Sequence, residues 1–110
     1  MGVNYQVNMA GFDISRAYRQ FQRADKAFWK EHDGTAERHL KKALELLATA
    51  YDHMVKAEED AIVKAGNEIG KGNDELDKCI NALANGKEDH AETQYEKALE
   101  HYSKALDLVE

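Results

Sequence analysis

The stretch ERHLKKALELLATAYDHM, from Glu37 to Met54, carries the clearest structural signal in the chain. Its apolar residues recur at spacings of three and four, which places them along one side of an α-helix. They are Leu40, Ala43, Leu44, Leu47, Ala50, Tyr51 and Met54. The chain contains no proline, so no proline can interrupt a long helix here.

The tetrapeptide KALE inside this stretch, at Lys42 to Glu45, occurs again at Lys97 to Glu100, 55 residues further along a chain of 110. The same shift aligns twelve identical pairs without a gap, among them Gly11/Gly66 and Ile14/Ile69. Two explanations are open: an internal duplication, or two similar amphipathic hairpins that converged on one pattern. Both predict the same architecture, because repeats of this size are usually supersecondary units.

Each 55-residue half is predicted to form a helical hairpin, and short connections pack consecutive helices antiparallel. The predicted fold is therefore all-α: an antiparallel up-down four-helix bundle built from two similar hairpins in a single domain, 1–110. The predicted helices cover 13–32, 35–65, 68–85 and 89–109. Residues 1–12 are predicted to form an extended leader, because Val3, Tyr5, Val7 and Met9 alternate as in a strand.

Local signals set these predicted bounds. Asp13 or Ser15 is expected to cap the first helix, and Thr35 the second. Gly34 is expected to take the positive φ that ends the first helix. The glycines of GNEIGKGN, residues 66–73, each cost a helix about 1 kcal/mol, so the third helix is expected to fray there. Asn85-Gly86 is expected to end it.

Composition narrows the class of function. Charged residues make up 33% of the chain, hydrophobic residues make up 43%, and the net charge is -6. An acidic chain argues against nucleic-acid binding and against docking on an anionic membrane. No apolar run approaches the roughly 20 residues of a membrane helix. The single cysteine and the lack of a signal-peptide pattern predict a cytoplasmic protein.

Histidines are the first candidates for a metal or haem site. The alternative function is a metal- or haem-binding bundle that uses His39, His53, His90 and His101. Such a site would need ligands from facing helices, and the Glu-x-x-His motif of carboxylate-bridged bundles is absent. No cofactor and no metal are therefore expected.

No catalytic residues are predicted. Cys79 lies on an apolar stripe, where a buried and unreactive thiol is expected. Ser15 and Ser103 lack the glycine-rich turn that exposes a nucleophilic serine. The protein is therefore expected not to be an enzyme.

A basic stripe runs along the first helix at spacings of three and four: Arg16, Arg19, Arg23, Lys26 and Lys30. Tyr18 and Trp29 lie beside this stripe, so Arg16, Arg19, Arg23, Tyr18 and Trp29 form the candidate partner-binding set. The alternative is that the stripe pairs with acidic residues of the same chain, or is simply solvated. The acidic candidates are Glu92, Glu96 and Glu100.

The segment YEKALEHYSKALDL, Tyr95 to Leu108, resembles the second helix of a tetratricopeptide repeat, with small and aromatic residues at Ala98, Tyr102 and Ala105. The unit here has 55 residues rather than the 34 of that family. The resemblance therefore implies similar helix packing, and peptide binding is not carried over.

The expected function is a non-enzymatic helical module for protein–protein interaction or self-association, with no nucleic acid and no membrane partner. A homodimer is expected because a second helix of about 31 residues, about 46 Å long, would extend past a fourth helix of about 31 Å. The apolar residues Ala61, Ile62 and Ala65 on that overhang would need a cover.

Overall fold

Four α-helices follow one another in the computed structural model, which describes the backbone of residues 2–109 and the side chains of residues 11–109. They are α1 (Gly2–Trp29), α2 (Asp33–Val55), α3 (Asp60–Ala84) and α4 (Glu88–Val109). No strand occurs between residues 2 and 109. The predicted all-α fold is confirmed, and the packing of the helices is consistent with a four-helix bundle of 44 × 20 × 19 Å.

The helices pack most closely in chain order, α1 on α2, α2 on α3 and α3 on α4. The backbones of α1 and α4 stay farther apart. Large aromatic side chains bridge this gap: the ring centroid of Phe21 lies 5.9 Å from that of Tyr95 and 5.8 Å from that of Tyr102. The seam between the first and the last helix is therefore wider than the other three.

The core consists of the predicted apolar stripes. Leu47 and Tyr102, which are equivalent under the 55-residue shift, were both expected to be buried, and this is confirmed at 2% and 8% exposure. The largest fully buried side chains are those of Leu40, Ile69, Leu76 and Cys79.

The predicted extended leader is wrong, because α1 already begins at Gly2. Nothing in this segment breaks a helix: there is no proline, and Gly11 alone costs only about 1 kcal/mol. Asp13, the expected cap, lies in the middle of α1 and is buried. The spacing of Val3 and Val7 suits a helix as well as a strand, so alternation over so few residues did not discriminate between the two.

The predicted second helix was too long. It ends at Val55, and Ala61, Ile62 and Ala65 belong to α3. The chain turns over 56–59, with Glu59 in an extended conformation whose carbonyl accepts hydrogen bonds from the N–H groups of Ile62 and Val63. This turn contains neither glycine nor proline. Because α2 and α4 have 23 and 22 residues, the overhang that motivated the homodimer does not exist.

The first hairpin turn also differs from the prediction. The positive φ falls on Glu31, at 59°, whereas Gly34 lies inside α2. His32, rather than Thr35, precedes the helix, and its side chain makes no capping hydrogen bond. At the equivalent place in the second hairpin, Gly86 has the expected positive φ of 74° and ends α3. Both turns close with the same backbone bonds, such as His32 N–H to Ala27 and Lys87 N–H to Ala82.

The glycines of residues 66–73 do not fray α3, which begins at Asp60. Gly66 and Gly72 are buried, because the absence of a side chain lets Met54 and Tyr102 approach the backbone. Helix bounds repeat at the 55-residue shift: α1 ends at Trp29 and α3 at Ala84, while α2 begins at Asp33 and α4 at Glu88. Duplication and convergence both predict this agreement, so the choice between them stays open.

Candidate interaction groove between the first and last helices

The widened seam between α1 and α4 forms a groove, here called the α1/α4 groove. The Phe21, Tyr95 and Tyr102 rings divide it into an apolar half and an acidic half. Asp25 faces Tyr95 across the seam, and the Tyr95 hydroxyl donates a hydrogen bond of 3.2 Å to its carboxylate. The groove therefore exists because bulky rings, rather than close-packed alanines, join these two helices.

The apolar half has a volume of about 300 Å³. Leu47, Met54 and Ile69 of α2 and α3 form its floor. Its walls come from α1 and α4: Ile14, Ala17, Tyr18, Phe21, Leu99, Tyr102, Ser103, Ala105, Leu106 and Val109. Ser103 is the one aliphatic-hydroxyl residue among these walls, so the lining suits an apolar surface rather than a polar small molecule.

Several wall residues are exposed although the sequence placed them on the buried face of α4. Leu99, Leu106 and Val109 are all exposed, Leu106 at 48%. Their equivalents in α2 are Leu44, Tyr51 and Met54, which are half-buried or buried because α3 covers them. No further helix among residues 2–109 covers α4 in the same way. These residues were missed as functional candidates because their spacing is that of an ordinary core stripe.

The ring cluster at the centre of the groove is fixed by hydrogen bonds. The Tyr102 hydroxyl donates a bond of 2.8 Å to the Asn73 side-chain oxygen. Burial raises the pKa of Tyr102 and of Tyr95 well above the ordinary tyrosine value, and the carboxylate of Asp25 adds to the effect on Tyr95. Both phenols therefore stay neutral at physiological pH, and this cluster separates the two halves of the groove in a constant protonation state.

The acidic half is a cavity of about 670 Å³ with five carboxylates on its lining: Asp25, Glu31, Asp33, Glu88 and Glu92. A hydrogen bond with Asp33 raises the pKa of Glu88, and the negative charges of Asp33, Asp89 and Glu31 add to the shift. Glu88 lies on the exposed surface, where water screens this pair. The arrangement lacks the water-excluding pocket that splits the pKa values of catalytic carboxylates.

Cys79 lies on the lining of this acidic half. It is buried, as predicted, and burial raises the pKa of its thiol to about 11. A thiol with such a pKa is overwhelmingly protonated at neutral pH and is a poor nucleophile. The geometry therefore gives Cys79 a packing role.

The candidate partner-binding residues fall on different sides of α1. Tyr18 lines the apolar half of the groove, and Trp29, 89% exposed, is the last residue of the helix. Arg16, Arg19 and Arg23 lie on the outer surface. Successive helical residues are about 100° apart, so Arg23 points away from the side that carries Phe21. The structure therefore brings Tyr18, but not the arginines, into the groove.

The basic stripe makes no ion pair with a carboxylate among the side chains of residues 11–109. Arg16 instead lies over the Phe12 ring, with its guanidinium carbon 5.5 Å from the ring centroid. The anticipated pairing with Glu92, Glu96 and Glu100 of the same chain is therefore not found in this part of the molecule. These cations lie on the open surface of α1.

The four histidines of the alternative function lie apart. His39 contacts the Gln20 side chain at 2.8 Å on the α1/α2 seam, whereas His101 contacts Glu68 at 2.9 Å on the α3/α4 seam. His53 is half-buried on α2, and His90 is exposed near the start of α4. Among the described side chains, no group of three or more histidines, cysteines or acids is placed to hold a metal ion.

The Glu68–His101 contact makes a testable prediction about acid stability. The hydrogen bond from His101 lowers the pKa of Glu68, and Lys71 also contributes. A carboxylate whose pKa is lowered by folding stabilises the fold above its unfolded-state pKa, and this contribution is lost as pH falls through the folded-state pKa. In His101→Ala, NMR titration should show the pKa of Glu68 moving up towards its ordinary value. His90→Ala, on the same helix, should leave it unchanged, and an unchanged value in His101→Ala would contradict the assigned cause.

Within residues 2–109 no helix is both long and apolar enough to cross a membrane. Comparisons with protein-family models, with curated proteins and with solved structures find no match to this chain. The case for a function therefore depends on the geometry of the groove.

Proposed function

We propose that the protein is a non-enzymatic helical module that binds a helix of another protein chain in the α1/α4 groove. The observation that carries the proposal is the exposure of Tyr18, Leu99, Leu106 and Val109 on the walls of one apolar groove. Single exposed hydrophobic residues are common, but a contiguous set beside a groove is typical of an interaction site.

Physical size supports a helix as the ligand. The groove runs between two antiparallel helices, and its walls carry large side chains at helical spacing, which suits the apolar stripe of an amphipathic helix. Full burial of one Leu side chain contributes about 1.5–3 kcal/mol. Covering several such side chains therefore gives enough free energy to offset the loss of translational and rotational freedom on association.

Two other functions receive less support. A metal- or haem-binding bundle would need the histidines to converge, but His39 and His101 lie on opposite seams. An enzyme would need an activated nucleophile or a buried acid pair, whereas Cys79 has a raised pKa and Glu88 is exposed. A cytoplasmic location remains part of the proposal on the strength of the single cysteine.

The proposal is tested by site-specific photo-crosslinking in the source cells, with a benzophenone amino acid placed at position 106 or at position 108. Leu106 and Leu108 are on the same helix and are 48% and 42% exposed, but only Leu106 lines the groove. We expect an adduct from position 106 whose linked peptide carries an apolar helical stripe, and little from position 108. Equal labelling at both positions, or none at 106, would overturn the proposal.

A further inference from the structure

We infer that the helix in the groove belongs to a second copy of this chain, with α1 of each protomer packed on α4 of its partner as α3 packs on α2 within one chain. This inference rests on the proposed function, because it names the partner of the same groove. It follows from three observations: an uncovered copy of an existing helix contact, a shared register, and complementary charge.

The α2/α3 contact supplies the template. Gly66 and Gly70 of α3 let the two helices approach so closely that a Cβ on Gly66 would lie 2.9 Å from the Met54 Cβ. A Cβ on Gly70 would lie 2.7 Å from the Tyr51 ring. Small residues on α3 thus meet large ones on α2.

Both halves of this contact recur, uncovered, at the 55-residue shift. Gly66 and Gly70 correspond to Gly11 and Ser15 on α1, and a Cβ on Gly11 would meet no other group within 4 Å. Met54 corresponds to Val109 on α4, and their exposures are 5% and 44%. One chain therefore presents a small surface on α1 and a large surface on α4, and each lacks the partner that its equivalent has.

The register of the two contacts allows a closed pair. Within one chain Asp25 of α1 faces Tyr95 of α4, and these residue numbers add up to 120. The transposed pairs, Gly11 with Val109 and Ser15 with Leu106, add up to 120 and 121. The α1 helices of two copies therefore lie at the same level on α4. A two-fold axis parallel to the helices satisfies both contacts at once and closes the assembly as a dimer.

Charge complementarity favours the same arrangement. The basic stripe of α1 is exposed and has no carboxylate partner among residues 11–109 of its own chain. Glu92, Glu96 and Glu100 follow one another at four-residue spacing along the exposed side of α4. In the shared register Arg23 is level with position 97, between Glu96 and Glu100. A basic stripe beside an acidic stripe gives steering and orientation that weaken as salt rises.

The oligomeric state of the full chain tests the inference. Light scattering after size exclusion at micromolar concentration should give twice the chain mass of 12.4 kDa. Leu106→Glu should give the monomer with an unchanged helical circular-dichroism spectrum, whereas Leu108→Glu should remain a dimer. Arg23→Glu should weaken the dimer, and combining it with Glu96→Arg should restore it. A wild-type chain that stays at 12.4 kDa would overturn the inference.

A disulfide trap tests the arrangement itself. Chains carrying both Ser15→Cys and Leu106→Cys should give a covalent dimer on mild oxidation, while Ser15→Cys with Leu108→Cys should not. A wild-type dimer without the 15–106 link would overturn the arrangement proposed here. A monomer whose position 106 crosslinks to a different protein in cells would overturn the second copy alone. A monomer with no crosslink would remove the proposed function as well.

Discussion

Leu47→Ala is expected to lower the free energy of unfolding by about 2–5 kcal/mol, the range for a large core residue cut back to alanine. Leu47 is only 2% exposed and belongs to the main hydrophobic core. It also forms part of the floor of the α1/α4 groove, so its removal leaves space beneath the groove that the rigid helices around it cannot fill completely. Urea unfolding followed by circular dichroism measures the loss.

Leu108→Ala is the matched control, because Leu108 is 42% exposed and lies outside both the core and the groove. Surface substitutions of this kind usually change stability by no more than about 0.5 kcal/mol. A loss below about 0.5 kcal/mol for Leu47→Ala as well would mean that Leu47 is not packed as described, and the register of α2 would then be wrong.

The sequence predicted the parts of the fold that depend on periodicity. Helical spacing identifies the side of each helix that is buried, and Gly86 marks a helix end because it can adopt a positive φ at no steric cost. Leu40, Leu47 and Tyr102 were placed in the core by spacing alone, and the structure buries all three. These signals are local, so one sequence contains them completely.

Turns without special residues could not be predicted in this way. The chain reverses over 56–59 with neither glycine nor proline, and Glu31 takes a positive φ that a glycine three residues later was expected to take. Such a conformation costs a non-glycine residue about 1–2 kcal/mol. Here the closing bonds of the hairpin, such as His32 N–H to Ala27, hold Glu31 in place. Tertiary packing of whole helices thus outweighs the local preference.

The groove was hidden for a different reason. Leu99, Leu106 and Val109 repeat the spacing of Leu44, Tyr51 and Met54 almost unchanged, so the two stripes are equivalent as sequence. Their exposures differ because α3 follows α2 and covers it, whereas α4 is the last described helix. Periodicity indicates which side of a helix needs to be covered. Only the assembled structure shows which side is still open.

Gly72→Ala is expected to destabilise the fold by about 1–3 kcal/mol, the usual cost of overpacking a core. This is opposite to the ordinary effect of the substitution, since alanine in a helix interior is favoured over glycine by about 1 kcal/mol. The reason is steric. A Cβ on Gly72 would lie 2.8 Å from the Tyr102 Cδ1 and would overlap the adjoining Cε1 as well.

The Tyr102 ring cannot easily move aside. Its hydroxyl is held by the bond to Asn73, and the Phe21 ring packs against it with a centroid distance of 5.8 Å. Displacing Tyr102 would therefore disturb the cluster that joins α1 to α4, so the groove should change shape along with the loss of stability. The distances between Phe21 and the rings of α4, followed by aromatic NMR contacts, report this change.

Gly34→Ala is the control for the helix-propensity effect. Gly34 lies in α2, where an added Cβ would meet no other group within 4 Å. Its substitution should stabilise the fold by up to about 1 kcal/mol. Urea unfolding of both variants thus gives changes of opposite sign from one chemical substitution. If Gly72→Ala also proved stabilising, Tyr102 would have room that the structure denies it, and the ring cluster could not be the rigid bridge that holds the groove open.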